Sequence, residues 1–323
     1  MKIYKNLLRN VVLGVFALGA SATYAAETYP QRPIKIVVPY QPGSAVDTTS
    51  RKIADQLSKR LNQPVVVENK TGAFGLIALK ALRDAPADGY TLMVDTPAMA
   101  INPSVRKVDY DPYTDIQPIA QLMALPFVIG MNPAVPAKNL EEFIAYGKKN
   151  EGKMNIAEGG TSTLLTSLLF GMETGVKMQT ISYKGAAPAV MAVLQNECQV
   201  IAIDLANLAT YIQAGKMIGL LTTGEKRSPM LPDVPTAKEV GLDNFNVSTW
   251  FGLFAKKGTP QEILDKLNAV IGDTFNDPDY KEYVEARGAT LNPYSVEEFT
   301  QFFNNDVKTW AKIVKDSGVK FEQ

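Results

Sequence analysis

The sequence predicts an α/β fold in which parallel or mostly parallel sheets are covered by helices. Short apolar runs alternate along the chain with amphipathic helical stretches, the rhythm of βαβ units. Turn residues such as Asp88-Gly89 bound the runs. With 323 residues, the chain can supply two domains of ordinary size, and two such units leave a crevice between them.

The first 25 residues read as a signal peptide. Lys2, Lys5 and Arg9 form a basic start, Val11–Ala20 is apolar but too short to span a bilayer, and Thr23-Tyr24-Ala25 offers small residues for cleavage after Ala25. The expected location is therefore the periplasm. No later segment approaches the apolar length of a membrane span, so the mature chain is expected to be soluble.

In order, Ile34–Val38 reads as a buried strand, and Ala45–Leu57 as a helix with Val46, Ile53, Ala54 and Leu57 at helical spacing. Gln63–Glu68 is a strand, Gly75–Arg83 a helix and Tyr90–Asp95 a strand. Ile101–Ile116, rich in Pro, Asp and Tyr, reads as a loop with a short helix at most. Ile119–Met131 contains a strand, Leu140–Lys149 a helix and Met154–Ala157 a short strand. After a polar loop, Leu164–Thr174 is a helix. Gln179–Tyr183, Val200–Leu205, Ile218–Thr223 and Trp250–Lys256 are strands, with a helix at Ala187–Gln195. Pro260–Phe275, Pro278–Arg287 and Ser295–Ser317 are helices that could return to the first half.

Composition excludes several chemistries. Lys+Arg and Asp+Glu both number 33, with no basic stripe, which argues against nucleic acid as a partner. There is no histidine, so Ser-His-Asp and Cys-His catalysis and the usual zinc sites are absent. Cys198 is the only cysteine, so no disulfide forms within the chain. No cofactor and no metal are expected.

Four loops invite a ligand. Pro42-Gly43-Ser44-Ala45-Val46-Asp47 joins a strand to a helix, whose free N–H groups favour anions. It reads equally as a turn with Ser44 as N-cap. It is neither a Walker loop nor a dinucleotide fingerprint. Glu68–Gly75 repeats the strand–glycine–helix arrangement. Glu158-Gly159-Gly160-Thr161-Ser162-Thr163 offers three hydroxyls where a cap needs one. In Tyr183-Lys184-Gly185, Lys184 either counters an anion or is solvated. Asp204 ends a strand facing the crevice, or caps the next helix. Trp250 is a cleft wall or a core residue.

Together these segments resemble the Bug family, the extracytoplasmic solute receptors of tripartite tricarboxylate transporters. The likeness is carried by YPQRPIKIVVPYQPG (29–43) with Asp47, VVVENKTGAFG (65–75), DGYTL (88–92), NP (102–103), YKGAAPAV (183–190), AGK (214–216), RSPMLPDVPTAKEVG (227–241) and GTP (258–260). The resemblance implies a type II periplasmic binding protein: two lobes with mixed sheets flanked by helices, and a ligand cleft between them. The lobes expected are 26–126 with 248–323, and 127–247. It implies a monomer that captures a small organic acid without catalysis and delivers it to membrane permease subunits.

Carried over from the family, the ligand-binding residues are Tyr40, Pro42, Gly43, Ser44, Asp47, Phe74 and Gly75 from the first lobe. From the second they are Thr161, Ser162, Tyr183, Lys184, Gly185 and Asp204. On this reading neutral dipoles from two opposed lobes recognise the acid. The chain departs from the pattern at Ser44, Lys70-Thr71, Glu158 and Leu164. If Glu158 faces the cleft it repels a second carboxylate and favours a monocarboxylate or an amino-bearing acid over a tricarboxylate. Two other readings stand beside this one: a sensory receptor that signals to a kinase, and an exported enzyme using Asp47, Glu158 or Asp204.

Overall fold

The structure, a computed structural model, describes residues 29–319 and 321. The expected signal peptide lies outside the described residues. The apolar run that predicts the first strand forms β1 (Ile34–Val38), with Ile34, Ile36, Val37 and Val38 buried. It lies between β2 (Val65–Asn69) and β3 (Thr91–Asp95), all three parallel. Next to β3 and antiparallel to it is β9 (Ser248–Lys256), which pairs in turn with the first part of β4 (Ile116–Met131).

The β4–β9 ladder ends at Pro126↔Ser248. From Phe127 onward β4 pairs antiparallel with β7 (Val200–Asp204), and from Val128 with β8 (Ile218–Thr222) as well. β7 is followed in parallel by β5 (Asn155–Glu158) and β6 (Gln179–Ser182). The strand order is β2-β1-β3-β9-β4-β7-β5-β6, with β8 beside β4. The two flanks are parallel as the rhythm predicts. The antiparallel middle is not, because one long apolar strand serves both flanks.

Helices cover this sheet: α1 (Ala45–Leu61), α2 (Leu76–Asp84), α3 (Ala98–Val105), α4 (Leu140–Lys149), α5 (Thr161–Thr174), α6 (Ala186–Leu194), α7 (Leu205–Gln213), α8 (Gln261–Thr274), α9 (Pro278–Glu285) and α10 (Val296–Ser317). Two differ from the sequence reading. α5 starts at Thr161 and not at Leu164, so its hydroxyl residues form the first turn rather than a loop before it.

α3 starts at Ala98, ahead of the stretch Ile101–Ile116 that reads as a loop with a short helix at most, and it contains Pro103. A proline there cannot donate to the Met99 carbonyl one turn back. The Tyr110 hydroxyl donates to that carbonyl instead, at 2.7 Å, and Met99, Ala100 and Ile101 are buried beneath.

The C-terminal helices do return. α8 packs on α1 and β4, and α10 on α3, β4 and α5. α10 begins with a capping box between Ser295 and Glu298, which satisfies two otherwise orphaned N–H groups. Trp250 is a core residue, not a cleft wall. It is fully buried, edge-on to Phe299 and Phe303. Its indole N–H and that of Trp310 donate to one oxygen of Asp306, at 3.0 and 2.9 Å. No helix among the described residues is long and apolar enough to cross a membrane.

Burial raises the Asp306 carboxyl to about 7, against the lowering effect of the two indole hydrogen bonds. Its value in the unfolded chain is near the ordinary 3.8. Between these two values the folded chain holds the proton and the unfolded chain does not. The carboxyl's stabilising contribution is therefore complete below the lower value and lost as pH rises through about 7. Thermal melting at acidic and at mildly alkaline pH should show a lower melting temperature on the alkaline side. Asp306→Asn, which keeps an acceptor for both indoles and removes the charge, should shrink that difference. An undiminished difference would count against Asp306 as a source of it.

Candidate functional site

Five strands bring their carboxyl ends toward one cavity of about 480 Å³. This is where ligands sit in open α/β sheets. From the first flank come Pro39 and Tyr40 after β1, Phe74 and Gly75 after β2, and Thr96 after β3. From the second come Gly159–Thr163 after β5, and Ile203 and Asp204 at the end of β7. Thr249 lines the cavity where β4 passes from one flank to the other.

Of the residues expected from the sequence, Tyr40, Phe74, Gly75, Thr161, Ser162 and Asp204 line this cavity together. The Tyr40 hydroxyl shares a 2.7 Å hydrogen bond with Thr96 Oγ1. Burial, with the Asp95 charge beside it, pushes the phenol far above its usual range. Asp95 itself is buried behind Tyr40. Burial raises its carboxyl to about 7, while the Thr96 N–H and Tyr40 pull it down. A neutral, hydrogen-bonded phenol thus faces the cavity.

At the other wall α5 opens toward the cavity. No side chain caps it, because Gly160 stands at the N-cap. Among the described residues the N–H groups of Thr161, Ser162 and Thr163 have no hydrogen-bond acceptor. These are orphan donors at a positive helix end, suited to an anion. Gly159 must be glycine here: a Cβ would sit 2.6 Å from the Gly185 carbonyl.

Asp204 has both carboxylate oxygens on the Asn207 amide, at 2.8 and 2.7 Å. Burial raises its carboxyl above the ordinary value, although Asn207 lowers it.

The other expected residues stand outside the lining. Ser44 Oγ accepts the Asp47 N–H and caps α1. The buried Asp47 carboxylate accepts from Gly43 N–H at 2.9 Å, Asn69 Nδ2 at 2.8 Å and Arg51 Nε at 3.0 Å. Burial pushes that carboxyl up, and Arg51 with the Gly43 and Asn69 bonds brings it to a net value below the usual range. Pro42 and Gly43 are exposed at the loop tip. Asp47 therefore shapes the first loop from behind.

Tyr183 makes a long contact with Cys198 Sγ, Lys184 points to solvent, and Gly185 packs on Gly159. Only Ala186, next in the chain, reaches the cavity. Glu158 does not face the cleft. Its carboxylate is buried and accepts the Gly160 N–H at 2.7 Å, so the condition for its repelling a second carboxylate is not met.

Sequence reasoning missed Arg106, among the described residues the one cation in the lining. It follows α3, in the stretch read as loop, and no motif spacing marks it. Its guanidinium lies 3.6 Å from the centre of the Phe74 ring. Asn102, also in the lining, donates to the Phe74 carbonyl at 3.0 Å. The NP pair singled out at 102–103 thus supports the loop that carries Phe74. Among the described residues no cluster of Cys, Asp and Glu is arranged to hold a metal ion.

The sequence profile described as "Tripartite tricarboxylate transporter family receptor" matches residues 49–319. The chain is 33% identical over 321 residues to the protein BugT of Bordetella pertussis, covering 96% of this chain and 98% of that one. It is similar to a solved R. palustris protein with adipate, at 27% identity and TM-score 0.74, covering 90% of this chain and 99% of that one. It is also similar to MatC from Rhodopseudomonas palustris with bound malate, at 30% identity and TM-score 0.70, covering 88% and 100%. A likeness over nearly the full length, in sequence and in fold, decides the family: the chain belongs to the Bug proteins, the solute-binding receptors of tripartite tricarboxylate transporters.

Proposed function

We propose that this receptor is exported to the periplasm, where it captures a small organic carboxylate by hinge closure and hands it, as a monomer, to the membrane permease of its transporter. The observation that carries this reading is the cavity itself, lined from both flanks of the sheet mostly by neutral donors and apolar side chains, with Arg106 as a cation. The relatives solved with adipate and malate support an acidic metabolite as the ligand.

The lobes we assign are 26–126 with 248–323, and 127–247. The change of β4 partner after Pro126 supports that division. A ligand that touches both lobes favours the closed form by the contacts that only closure makes. Desolvating a carboxylate is costly, so several donors must replace its water. The N–H groups and hydroxyls that open α5 suit that task.

The reading contains no chemical step. The three acids that an enzyme could use are each engaged: Asp47 in its loop, Glu158 on Gly160, and Asp204 on Asn207.

A thermal-shift panel of mono-, di- and tricarboxylates, amino acids and aromatic acids tests the reading, because binding raises the melting temperature by mass action. If none of these acids stabilises the protein, the reading fails. With an acid that does, Thr161→Val should weaken affinity by roughly 5- to 100-fold in calorimetry, for about 1–3 kcal/mol lost with one donor. Melting of the unliganded protein should be unchanged. Asp47→Asn should do the reverse, lowering stability by about 1–3 kcal/mol and leaving affinity nearly unaltered. Unchanged affinity in Thr161→Val would remove that residue from the site.

A further inference from the structure

We infer that Arg106, held under the Phe74 ring, is the charged anchor for a second carboxylate on the ligand, and that this receptor selects dicarboxylates over monocarboxylates of the same length. The inference rests on the receptor reading above and adds to it the placement of the two ligand ends.

The arginines of the described residues set Arg106 apart. Arg32, Arg51, Arg60, Arg83 and Arg227 each face a carboxylate, and Arg287 donates to the Tyr283 carbonyl. Arg106 has no ion-pair partner among the described residues, its Nε is buried without an acceptor, and it alone of the arginines lines the cavity. A buried guanidinium donor without an acceptor is uncommon. The planar fork of arginine matches a carboxylate with two parallel hydrogen bonds.

The surroundings hold this fork in place. The Phe74 ring covers one face of the guanidinium, and with Nε buried the two terminal nitrogens are the donors left for a ligand. Phe74 is exposed, and both it and Ala73 sit at positive φ, +57° and +46°. That conformation is unfavourable for residues other than glycine, and such strain clusters at ligand clamps. Asn102 fixes the Phe74 carbonyl.

Arg106 and Phe74 belong to the first flank, and the free N–H groups that open α5 belong to the second. The cavity thus offers one neutral and one cationic anion site on opposite walls. With Glu158 bonded to Gly160, no carboxylate of that loop opposes a second ligand anion. Asp204, the one acid in the lining among the described residues, has both oxygens on Asn207.

The test pairs acids of equal length, succinate with butyrate and adipate with hexanoate, by calorimetry on the wild-type protein, Arg106→Gln, Arg106→Lys and Phe74→Ala. Melting of each unliganded variant reports its folding. In the wild type a dicarboxylate should bind at least about tenfold more tightly than its monocarboxylate partner, as a charge-assisted bond implies. Arg106→Gln should abolish that preference, weakening the dicarboxylate at least about tenfold more than its monocarboxylate partner. Arg106→Lys should restore part of the preference, and Phe74→Ala should reduce it.

Dicarboxylate binding that Arg106→Gln leaves unchanged would overturn the inference and leave the receptor reading intact. So would a wild type that prefers monocarboxylates, or an Arg106→Gln loss equal for both acids. If Arg106→Gln does not fold, a preference reduced in both Arg106→Lys and Phe74→Ala supports the inference, and a preference equal to the wild type's in both overturns it. No heat and no stabilisation with any acid, in this set or the wider panel, would remove the receptor reading and this inference together.

Discussion

The passage of β4 from one flank of the sheet to the other is the constraint on which the rest depends. Its 16 residues span roughly 50 Å when extended. That is enough to pair with β9 over one half and with β7 and β8 over the other. Because this strand is continuous, the two parallel flanks end their strands toward a common space. The cavity is a consequence of topology before any side chain is chosen. Register shifts near Pro118 and Gln121 interrupt the ladder on the approach to the crossing. Such irregularities bend and twist a strand, so the crossing combines continuity with local compliance. Trp250, beside the crossing, is locked into the core by Asp306 and the phenylalanines of α10.

On this scaffold the two flanks use different physics. The second presents backbone: a glycine N-cap, a helix end and hydroxyls, with Glu158 turned inward onto its own loop. The first presents side chains: a phenol kept neutral by burial, and a guanidinium laid under an aromatic ring. Backbone donors cost nothing to pre-organise once the helix has formed, whereas a long side chain loses rotamer freedom on binding unless something already restrains it. The stack of Phe74 on Arg106 supplies that restraint. The sequence-based expectation names neutral donors, and the cavity lining holds such donors at the start of α5 together with the charged Arg106.

Much of the fold was legible because its signals are local. Apolar runs such as Ile34–Val38 and the periodic helices Ala45–Leu61 and Val296–Ser317 follow the patterning rules closely. The same locality explains the misses. Pro103 suppresses a helix signal that Tyr110, in the following loop, restores through a single hydroxyl. The hydroxyls of Thr161 to Thr163 look like a loop until the helix proves to begin beneath them. At the site, glycine-rich strand–helix junctions were found from spacing alone, but spacing does not say which way a side chain turns. Ser44 and Asp47 turn back to hold their own loop, and Lys184 turns to solvent. Arg106 carries no local signal, because its significance lies in what it lacks: an acceptor of its own.

The Phe74 segment is where local and global preferences conflict. Two consecutive residues with side chains occupy backbone conformations suited to glycine. The segment retains them through the Asn102 bond and the ring contact with Arg106. A glycine at position 74 would relieve the backbone and lose the ring, and with it the cover over one guanidinium face. Sequences are locally consistent where only stability matters and depart from consistency where a ligand must be met. By contrast, the opposite loop is consistent throughout: Gly159 is glycine because the Gly185 backbone leaves no room for more. The strain sits on the wall that carries charge. There a fixed guanidinium plane converts a diffuse attraction for anions into a geometric demand on a second carboxylate.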